Sequence, residues 1–358
     1  MKRRSQIWRW IGLVIGIVVF IYLLRYPGSH DRPAVTLMAQ AMYFGIAAMG
    51  LNLLTGYNGQ VSIGHGAFFG LGAFTSALLI RDYEWQFLWT LPVAAALCLA
   101  VGVAVGFPAL RVKGLYLALV TLGLAVVFPD LVRKYVETGG SNLVRLRNKQ
   151  LAPPSWWPDQ HSARHEFAFY TTLFLGLVLL LIAFLIVRSR FGRSLIAVRD
   201  HEAAAATVGI NPARAKLGAF GVSAMYAGVA GSLSVLVIGQ AESNKASTFE
   251  LSILFLVAVV IGGTATVSGP LIGGFLVVFV RDWIGNFVGS PSVLESFFRG
   301  KQVLAPAVFG VTLILFMYVL PDGILGGLRR LYNRIWNAAE KPRSPAPPSA
   351  SPVESASH

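Results

Sequence analysis

The sequence predicts an all-α polytopic membrane protein with about ten transmembrane helices, and three observations lead to this fold class. First, 55% of the residues are hydrophobic and only 13% are charged, whereas a soluble domain carries about 25% charged residues. Second, the mean hydropathy is +0.64. Third, apolar stretches of about 18 to 22 residues recur along the chain, and each can cross a hydrocarbon core of roughly 30 Å as a helix. Such a chain needs the bilayer as its solvent.

Charges, glycines and prolines bound the apolar stretches and define the predicted elements in chain order. The predicted spans are 8–24, 34–54, 61–80, 87–107, 115–132, 167–187, 213–238, 251–267, 270–288 and 303–320. Division into five and five gives halves of opposite orientation, as in inverted-repeat transporters. We therefore expect an N-terminal segment with the first helix (1–33), a transmembrane domain (34–320) and a basic, Pro/Ser-rich disordered tail (321–358).

The first span has two interpretations. Three basic residues followed by an apolar run are typical of a secretory signal peptide and also of a retained helix. The run is followed by Arg25, Tyr26 and Pro27 in place of a small-residue cleavage site. We therefore expect the first span to be retained.

Basic residues indicate the orientation, because cytoplasmic loops of membrane proteins carry an excess of Lys and Arg. Most of them fall on one side of the predicted spans, namely Arg3, Arg4, Arg9, Arg111, Lys113, Arg188, Arg190, Arg193, Arg199, Arg214, Lys216, Arg329, Arg330 and Arg334. We expect this side to be cytoplasmic and both termini to lie on it. The predicted external loop 133–166 disagrees, since it is also basic. With Trp156 and Trp157 it forms either an interfacial cap or a docking surface for an external partner.

Several function classes are excluded by what the sequence lacks. It has no G-x-x-x-x-G-K-[ST] phosphate loop, no H-E-x-x-H motif and no G-x-S-x-G motif. Cys98 is the only cysteine. The formal net charge of +14 comes without the aromatic-interleaved basic patch of RNA binders. We therefore expect no catalytic residue, no metal site, no cofactor of its own and no nucleic-acid partner.

The segment 51–74, LNLLTGYNGQVSIGHGAFFGLGAF, interleaves polar residues with glycines at or near membrane depth. Its polar members include Asn52, Gln60, Ser62 and His65. Polar groups at this depth are tolerated when they are buried in protein or line a wet cavity, so the segment should face the bundle interior. These side chains either line a translocation path or hydrogen-bond between helices. For His65 alone, a satisfied core histidine is the ordinary interpretation, and the glycines favour close helix packing.

A short helix is predicted in the cytoplasmic loop 188–216. Asp200 can cap it, Glu202 lies in its first turn, and Gly209 can end it in the left-handed conformation. Asn211 and Pro212 then read as the N-cap and first position of the next span. This helix is either an ordinary interfacial helix or a surface on which a cytoplasmic motor acts.

A third segment, 251–279, is broken by six glycines and prolines between two apolar runs. Thr264, Thr266 and Ser268 supply hydroxyl groups at this break. Either a re-entrant hairpin or a plain interhelical turn fits the pattern.

Together these segments make the chain resemble the branched-chain amino-acid type of ABC transporter permease, specifically its LivM-like subunit. The resemblance rests on the segment 51–74, on RVKGLYLALVTLGLA at 111–125, on ETGGSNLV at 137–144, on GRSLIAVRDHEAAAATVGINPARAKLGAF at 192–220 and on VVIGGTATVSGPLIGG at 259–274. These blocks are in family order and cover roughly residues 35–320. An ABC importer permease fold is thereby implied.

The resemblance also implies a function and partners. A permease of this family translocates branched-chain or related small amino acids across the bacterial inner membrane by alternating access. Its implied partners are a second, LivH-like permease, two LivF- and LivG-like ATPases that bind ATP and Mg²⁺, an extracytoplasmic substrate-binding protein, and membrane lipid. Urea or short-chain amides are the alternative substrates within the family.

Candidate site residues follow from matching the segments. The candidates for the substrate path are Asn52, Gln60, Ser62, His65 and Thr264. The candidates for coupling to an ATPase are Arg199, Asp200, His201, Glu202, Ala203 and Gly209. A stand-alone secondary transporter is the rival from another class, but ion-coupled carriers place charged groups within their spans, and here the spans are nearly free of them. An intramembrane enzyme is disfavoured, since no paired carboxylates or zinc ligands occur at a common depth.

Overall fold

The computed structural model describes residues 21–110, 114–135, 143–147, 149–154, 157, 163–242, 244–289 and scattered positions between 308 and 330. In chain order, the helices are α1 (21–29), α2 (Arg32–Asn52), α3 (His65–Tyr83), α4 (Phe87–Ala109), α5 (Leu115–Tyr135), α6 (Ala163–Arg188), α7 (Arg190–Asp200), α8 (Glu202–Thr207), α9 (Pro212–Ile238), α10 (Lys245–Gly262) and α11 (Gly269–Gly289). A π-helix, Leu53–Tyr57, continues α2. The strands are β1 (Leu143–Arg145) and β2 (Gln240–Glu242).

The all-α fold class is confirmed, and the second to ninth predicted spans each coincide with a helix. Within the described residues, five helical stretches are long and apolar enough to cross a membrane: Arg32–Tyr57, Phe87–Pro108, Tyr116–Lys134, Arg164–Arg188 and Pro212–Ile238. Most of the first predicted span and parts of the tenth lie outside the described residues. The predicted count of ten is therefore tested only for the middle of the chain. The disordered tail predicted at 321–358 lies almost wholly outside the described residues as well.

Two helices form the centre of the bundle. The most apolar window of α9 is 83% buried and that of the α2 stretch 72%, whereas those of α4 and α6 are 28% and 22% buried. The exposed faces of α4 and α6 therefore suit lipid. The outer helix α4 packs on α9, and α11 packs on α2. These are the fourth span on the seventh and the ninth on the second, which is the equivalence that two five-span halves require.

The bundle has two ends, which we name by their loops. The inner end holds the segments 58–64, 189–211 and 263–268, and the outer end holds 84–86 and 239–244. At the outer end β1 pairs antiparallel with β2, with Leu143 opposite Glu242 and Arg145 opposite Gln240. The loop that precedes α6 is thereby fastened to the segment that follows α9.

Helices α3 and α10 enter the bundle from opposite ends and meet at their first turns. The Gly66 amide donates a 2.9 Å hydrogen bond to Ser252 Oγ, and a Cβ on Gly66 would collide with the carbonyl oxygen of Thr248. A helix that starts at the inner end can touch the first turn of one that starts at the outer end only if both starts lie deep in the bundle. Glycine at 66 is required for this close approach.

Two predicted boundaries are wrong for the same reason. The third span was expected to begin at 61 and the eighth to run over 251–267, but α3 begins at His65 and α10 covers Lys245–Gly262. Hydropathy alone extends a span across apolar residues whose backbone is not helical. In the turn 263–268, Gly263 has φ 110° and Ala265 has φ 57°. A helix cannot continue through residues with positive φ, so α10 ends here even though the neighbouring residues are apolar.

Candidate functional site

Asn52 fastens the turn 263–268 to the end of α2. It is only 2% exposed. Its Nδ2 donates to the Thr266 carbonyl oxygen at 2.7 Å, and its Oδ1 accepts from the Ala265 amide at 3.0 Å. One side chain thus pairs one amide and one carbonyl group of a turn in which Gly263 and Ala265 have positive φ. The break between α10 and α11 is a hydrogen-bonded turn packed on the π-helix.

Arg199 connects the same region to the segment between α6 and α9. Its Nη1 donates to the Gly56 carbonyl oxygen in the π-helix at 2.9 Å, and its stem covers Gly59, which has φ 74°. Asp200 holds the guanidinium from the other side at 2.9 Å. A π-helix leaves its carbonyl groups poorly paired and often marks a functional position. We call Asn52, Gly56, Arg199 and the turn 263–268 the inner seal.

The predicted cytoplasmic helix is part of a pair, and its predicted cap is wrong. Asp200 is the last residue of α7, a helix that the sequence analysis did not predict, and His201 in extended conformation is the N-cap of α8. Apolar residues on one face of α7 bury it on the bundle, so it continues to Asp200. The other end was predicted well: Gly209 has φ 85°, and Asn211 Oδ1 accepts from the Arg214 amide at the start of α9.

The exposed part of this pair is small and apolar. Ala205 faces the bundle, whereas Ala203, Ala204, Ala206 and Thr207 are exposed. Val208 beside them is 75% exposed. Lys216 on α9 holds Glu202 by an ion pair of 2.6 Å. The pair is thus fixed at its base and presents an apolar tip.

Of the other candidates for the substrate path, Gln60 and Ser62 precede α3, His65 begins it, and Thr264 belongs to the inner seal. His65 is buried, and its Nε2 donates to the Ala47 carbonyl oxygen at 2.9 Å. Gln60 accepts from Asn58 Nδ2 at 2.7 Å, and the Ser62 hydroxyl accepts from the Gly64 amide at 3.4 Å. Thr264 is exposed on the turn. The structure therefore shows intramolecular bonds for His65, Gln60 and Ser62, and their contact with a substrate stays a prediction.

An aromatic cluster lies directly above His65. The Phe255 ring on α10 is completely buried. Its centroid lies 4.5 Å from that of Phe44, 5.5 Å from that of Phe69 and 5.9 Å from that of His65. The three helices that supply these rings are thereby packed against one another in this layer.

A cavity of about 210 Å³ lies on the outer side of this layer, between α2, α3, α9 and α10. We call it the outer cavity. Its walls are Tyr43, Phe44, Gly66, Phe69, Gly70, Ala73, Ser234, Ile238, Thr248 and Leu251, and β2 forms its rim with Gln240, Ala241 and Glu242. None of the five predicted path residues lines it.

The outer cavity could not be predicted from polar residues at membrane depth, because its walls are mainly apolar. Two signals were available: Tyr43 is the only tyrosine in α2, and Glu242 is an acidic residue directly beyond a long apolar span. Neither signal indicates a cavity until α3 and α10 are known to meet.

The chemistry that this arrangement allows is binding and passage. Among the described residues, no group of three or more His, Cys, Asp or Glu side chains could hold a metal ion. Cys98, the single thiol, is buried and packs on Gly228. A half-open cavity on one side of a closed layer is the arrangement expected of a transport protein.

Comparisons with known proteins agree with this chemistry. A family model described as "Branched-chain amino acid transport system / permease component" matches residues 34–317. The high-affinity branched-chain amino acid transport system permease protein LivM of Escherichia coli (strain K12) is 31% identical over 290 residues, which are 76% of this chain and 68% of that protein. The corresponding LivH of the same organism is 24% identical over 302 residues, 79% of this chain and 91% of that protein.

The name of a third relative gives no substrate. The probable ABC transporter permease protein YphD of Escherichia coli (strain K12) is 32% identical over 138 residues, which are 37% of this chain and 41% of that protein. No solved structure matches the chain. Because the family model spans most of the sequence, the chain belongs to the branched-chain amino acid transport system permease family and is a membrane transport subunit, not an enzyme.

Proposed function

We propose that this chain is the permease subunit of an ATP-driven importer that carries branched-chain or related small amino acids across the bacterial inner membrane by alternating access. A second, similar permease, two ATPase chains that bind ATP and Mg²⁺, and an external substrate-binding protein complete the importer. The names of the LivM and LivH relatives support the substrate class and the presence of a second permease. In this proposal the inner end faces the cytoplasm, because the basic loops lie there.

The observation that carries the proposal is the hydrogen bond from Arg199 to the Gly56 carbonyl oxygen. It joins the exposed pair α7–α8 to the π-helix, and Asn52 joins the end of α2 to the turn 263–268. A displacement of α8 therefore moves the π-helix and the end of α2. The hydrogen-bonded backbone of α2 carries this movement to the aromatic layer that closes the bundle. A motor at the inner end needs such a connection, since coupling requires a structural element that both sites bias.

The apolar tip of α8 is the proposed docking surface for an ATPase. Ala203, Val208 and Gly209 are exposed there, while His201 is the N-cap of the helix and Glu202 fixes its base through Lys216. Large exposed apolar side chains at the centre of a docking surface supply much of its binding energy. Coupling between ATP and substrate is reciprocal in free energy, so delivery of substrate outside should change the affinity for nucleotide inside.

The test separates docking from transmission. The permease pair, the ATPases and the binding protein are reconstituted in vesicles, and leucine uptake, ATP hydrolysis and recovery of the ATPases with the tagged permease are measured. Val208→Glu should release the ATPases, because it buries a charge at the interface. Arg199→Ala should retain the ATPases but reduce leucine uptake at least tenfold.

Arg193→Ala is the matched control and should retain leucine uptake and ATP hydrolysis. Leucine uptake that survives ATP depletion but collapses with the ion gradient would overturn the proposal and favour a secondary transporter. Loss of uptake in Arg199→Ala only because the ATPases no longer bind would leave docking as its role and refute transmission.

A further inference from the structure

We infer that the outer cavity holds the uncharged side chain of an amino acid in transit, with the Tyr43 hydroxyl as its buried polar contact and Glu242 at its mouth. This inference rests on the proposed function and adds to it a binding site within this chain. The inference also favours amino acids over urea and short-chain amides, the two substrate classes of the family.

The position of the cavity is where an alternating-access protein keeps its substrate. Its floor is the contact between the first turns of α3 and α10, at Gly66 and Thr248, which lie deep in the bundle. Interrupted helices that start near mid-depth from opposite sides surround substrate sites in inverted-repeat transporters. Leu251 lines the cavity, and Phe255, one helical turn further inward, belongs to the closed aromatic layer.

The walls select for an apolar group of moderate size. Phe44, Phe69 and Ala73 are among the residues that line the cavity. A cavity of about 150 Å³ with apolar walls can hold a benzene molecule, so about 210 Å³ is enough for a branched aliphatic side chain. Urea has no apolar part to remove from water, so its binding would gain little free energy from contact with these apolar walls.

Tyr43 is a buried polar residue in the wall of this cavity. The residue is only 7% exposed and lines the cavity. Its phenol has no hydrogen-bond partner among the described residues, whereas the cavity-lining Ser234 donates to the Gly231 carbonyl oxygen at 2.6 Å. Buried tyrosine hydroxyls usually find a partner. A carboxylate of the substrate can accept that hydrogen bond, and bonds to charged groups are the stronger ones.

The rim carries a negative charge, which is opposite to that of the substrate's ammonium group. Glu242 is exposed at the mouth of the cavity, and β1 holds the strand that carries it. Its carboxylate accepts from Asn244 Nδ2 at 3.2 Å, which leaves further lone pairs available. The ammonium group of an entering amino acid therefore passes a fixed negative charge, and an acidic side chain on the substrate is repelled.

The first experiment uses the fact that Cys98 is the only cysteine and is buried. Ser234→Cys places a thiol in the cavity with little change of shape, in the complete importer in membranes. A small membrane-impermeant methanethiosulfonate should label it, and saturating leucine should slow the labelling at least tenfold, while urea and glutamate should not. Tyr83→Cys, at the exposed outer end of α3, should label at the same rate with or without leucine.

The second experiment keeps the inference testable if the cysteine variant assembles poorly. Tyr43→Phe retains the ring and removes only the hydroxyl, so the KM for leucine uptake should rise about tenfold, the value for one hydrogen bond to a charged group. Tyr83→Phe is its control and should leave KM unchanged. The Ala73→Leu variant narrows the cavity and should raise KM for leucine more than for alanine.

Failure of the inference and failure of the proposed function differ in their results. If the wild-type importer takes up leucine with ATP but leucine gives no protection and Tyr43→Phe has an unchanged KM, the cavity is not the site. If urea protects Ser234→Cys and leucine does not, the substrate class is wrong. If the wild-type protein shows no ATP-dependent uptake of leucine at all, the proposed function itself fails.

Discussion

The inner seal and the outer cavity use the same helices, α2 and α10, in opposite ways. At the inner end, Asn52 gives both of its amide groups to the turn that follows α10. Toward the outer end of α2, Tyr43 leaves its hydroxyl unpaired beside a cavity that α10 also lines. At one end of this helix pair a paired amide side chain therefore fastens a turn, and at the other a cavity lies beside an unpaired hydroxyl.

This difference teaches how a bundle can be stable and still move. Buried polar groups that are fully paired hold a region in one arrangement. A cavity with an unpaired group lacks this stabilisation and can gain it from a ligand. Substitutions should therefore affect the stability of the protein when they fall in the inner seal, and the affinity for substrate when they fall in the outer cavity.

The largest effect on stability is expected from Asn52→Ala. The change leaves the half-buried Ala265 amide and Thr266 carbonyl without their partner, and a buried polar group that loses its hydrogen bond costs about 1 to 3 kcal/mol. We expect the free energy of unfolding to fall by about 2 to 4 kcal/mol on that basis, measured in detergent by thermal unfolding. Asn286→Ala, which removes an exposed bond to Asp282 within α11, is the control. Equal losses in the two variants would contradict the role of Asn52.

The next effect is expected at the boundary between the two regions. Gly66→Ala forces a methyl group against the Thr248 carbonyl oxygen and the Ser252 hydroxyl, and overpacking of this kind costs about 1 to 3 kcal/mol. Gly123→Ala on α5 is matched, because nothing lies within 4 Å of its added Cβ. This control should be neutral or stabilise the helix by about 0.5 kcal/mol. If both variants unfold at the same temperature, the contact between α3 and α10 is looser than described.

A smaller effect is expected from the ion pair that holds α8. The side chains of Lys216 and Glu202 are 12% and 36% exposed, so water and salt screen part of their attraction, and the pair contributes at most about 1 kcal/mol. Lys216→Met and Glu202→Gln should each lose this amount, and the double variant should lose no more than either. The difference should shrink in high salt. Additive losses would show that the two side chains act separately.

The smallest effect is expected from Thr264→Ala. The residue is exposed on the turn that Asn52 holds, and surface changes of this kind usually alter stability by less than about 0.5 kcal/mol. Stability should therefore stay unchanged while leucine uptake reports on the predicted path role. A fall in uptake with unchanged stability would support Thr264 as a path residue. Unchanged uptake would remove it from the path.

Local features of the sequence predicted most of the architecture. The apolar runs located α2 to α6 and α9 to α11 because burial in lipid depends on the composition of each stretch. The left-handed Gly209 and the Asn211 cap were predicted for a similar reason, since helix ends depend on a few adjacent residues. The prediction failed at Asp200 because the face that buries α7 is defined by the bundle and not by the residues next to the cap.

The sequence by itself determined that this chain is an all-α membrane protein and which family it resembles, through composition and contiguous segments. Only the tertiary structure decided what the polar residues at membrane depth do. Asn52 bonds to Thr266, and Arg199 bonds to Gly56, across separations of 214 and 143 residues. The outer cavity likewise exists only because α3 and α10 meet at their first turns. Contacts between distant segments follow from how the whole bundle packs, and no local pattern of residues encodes them.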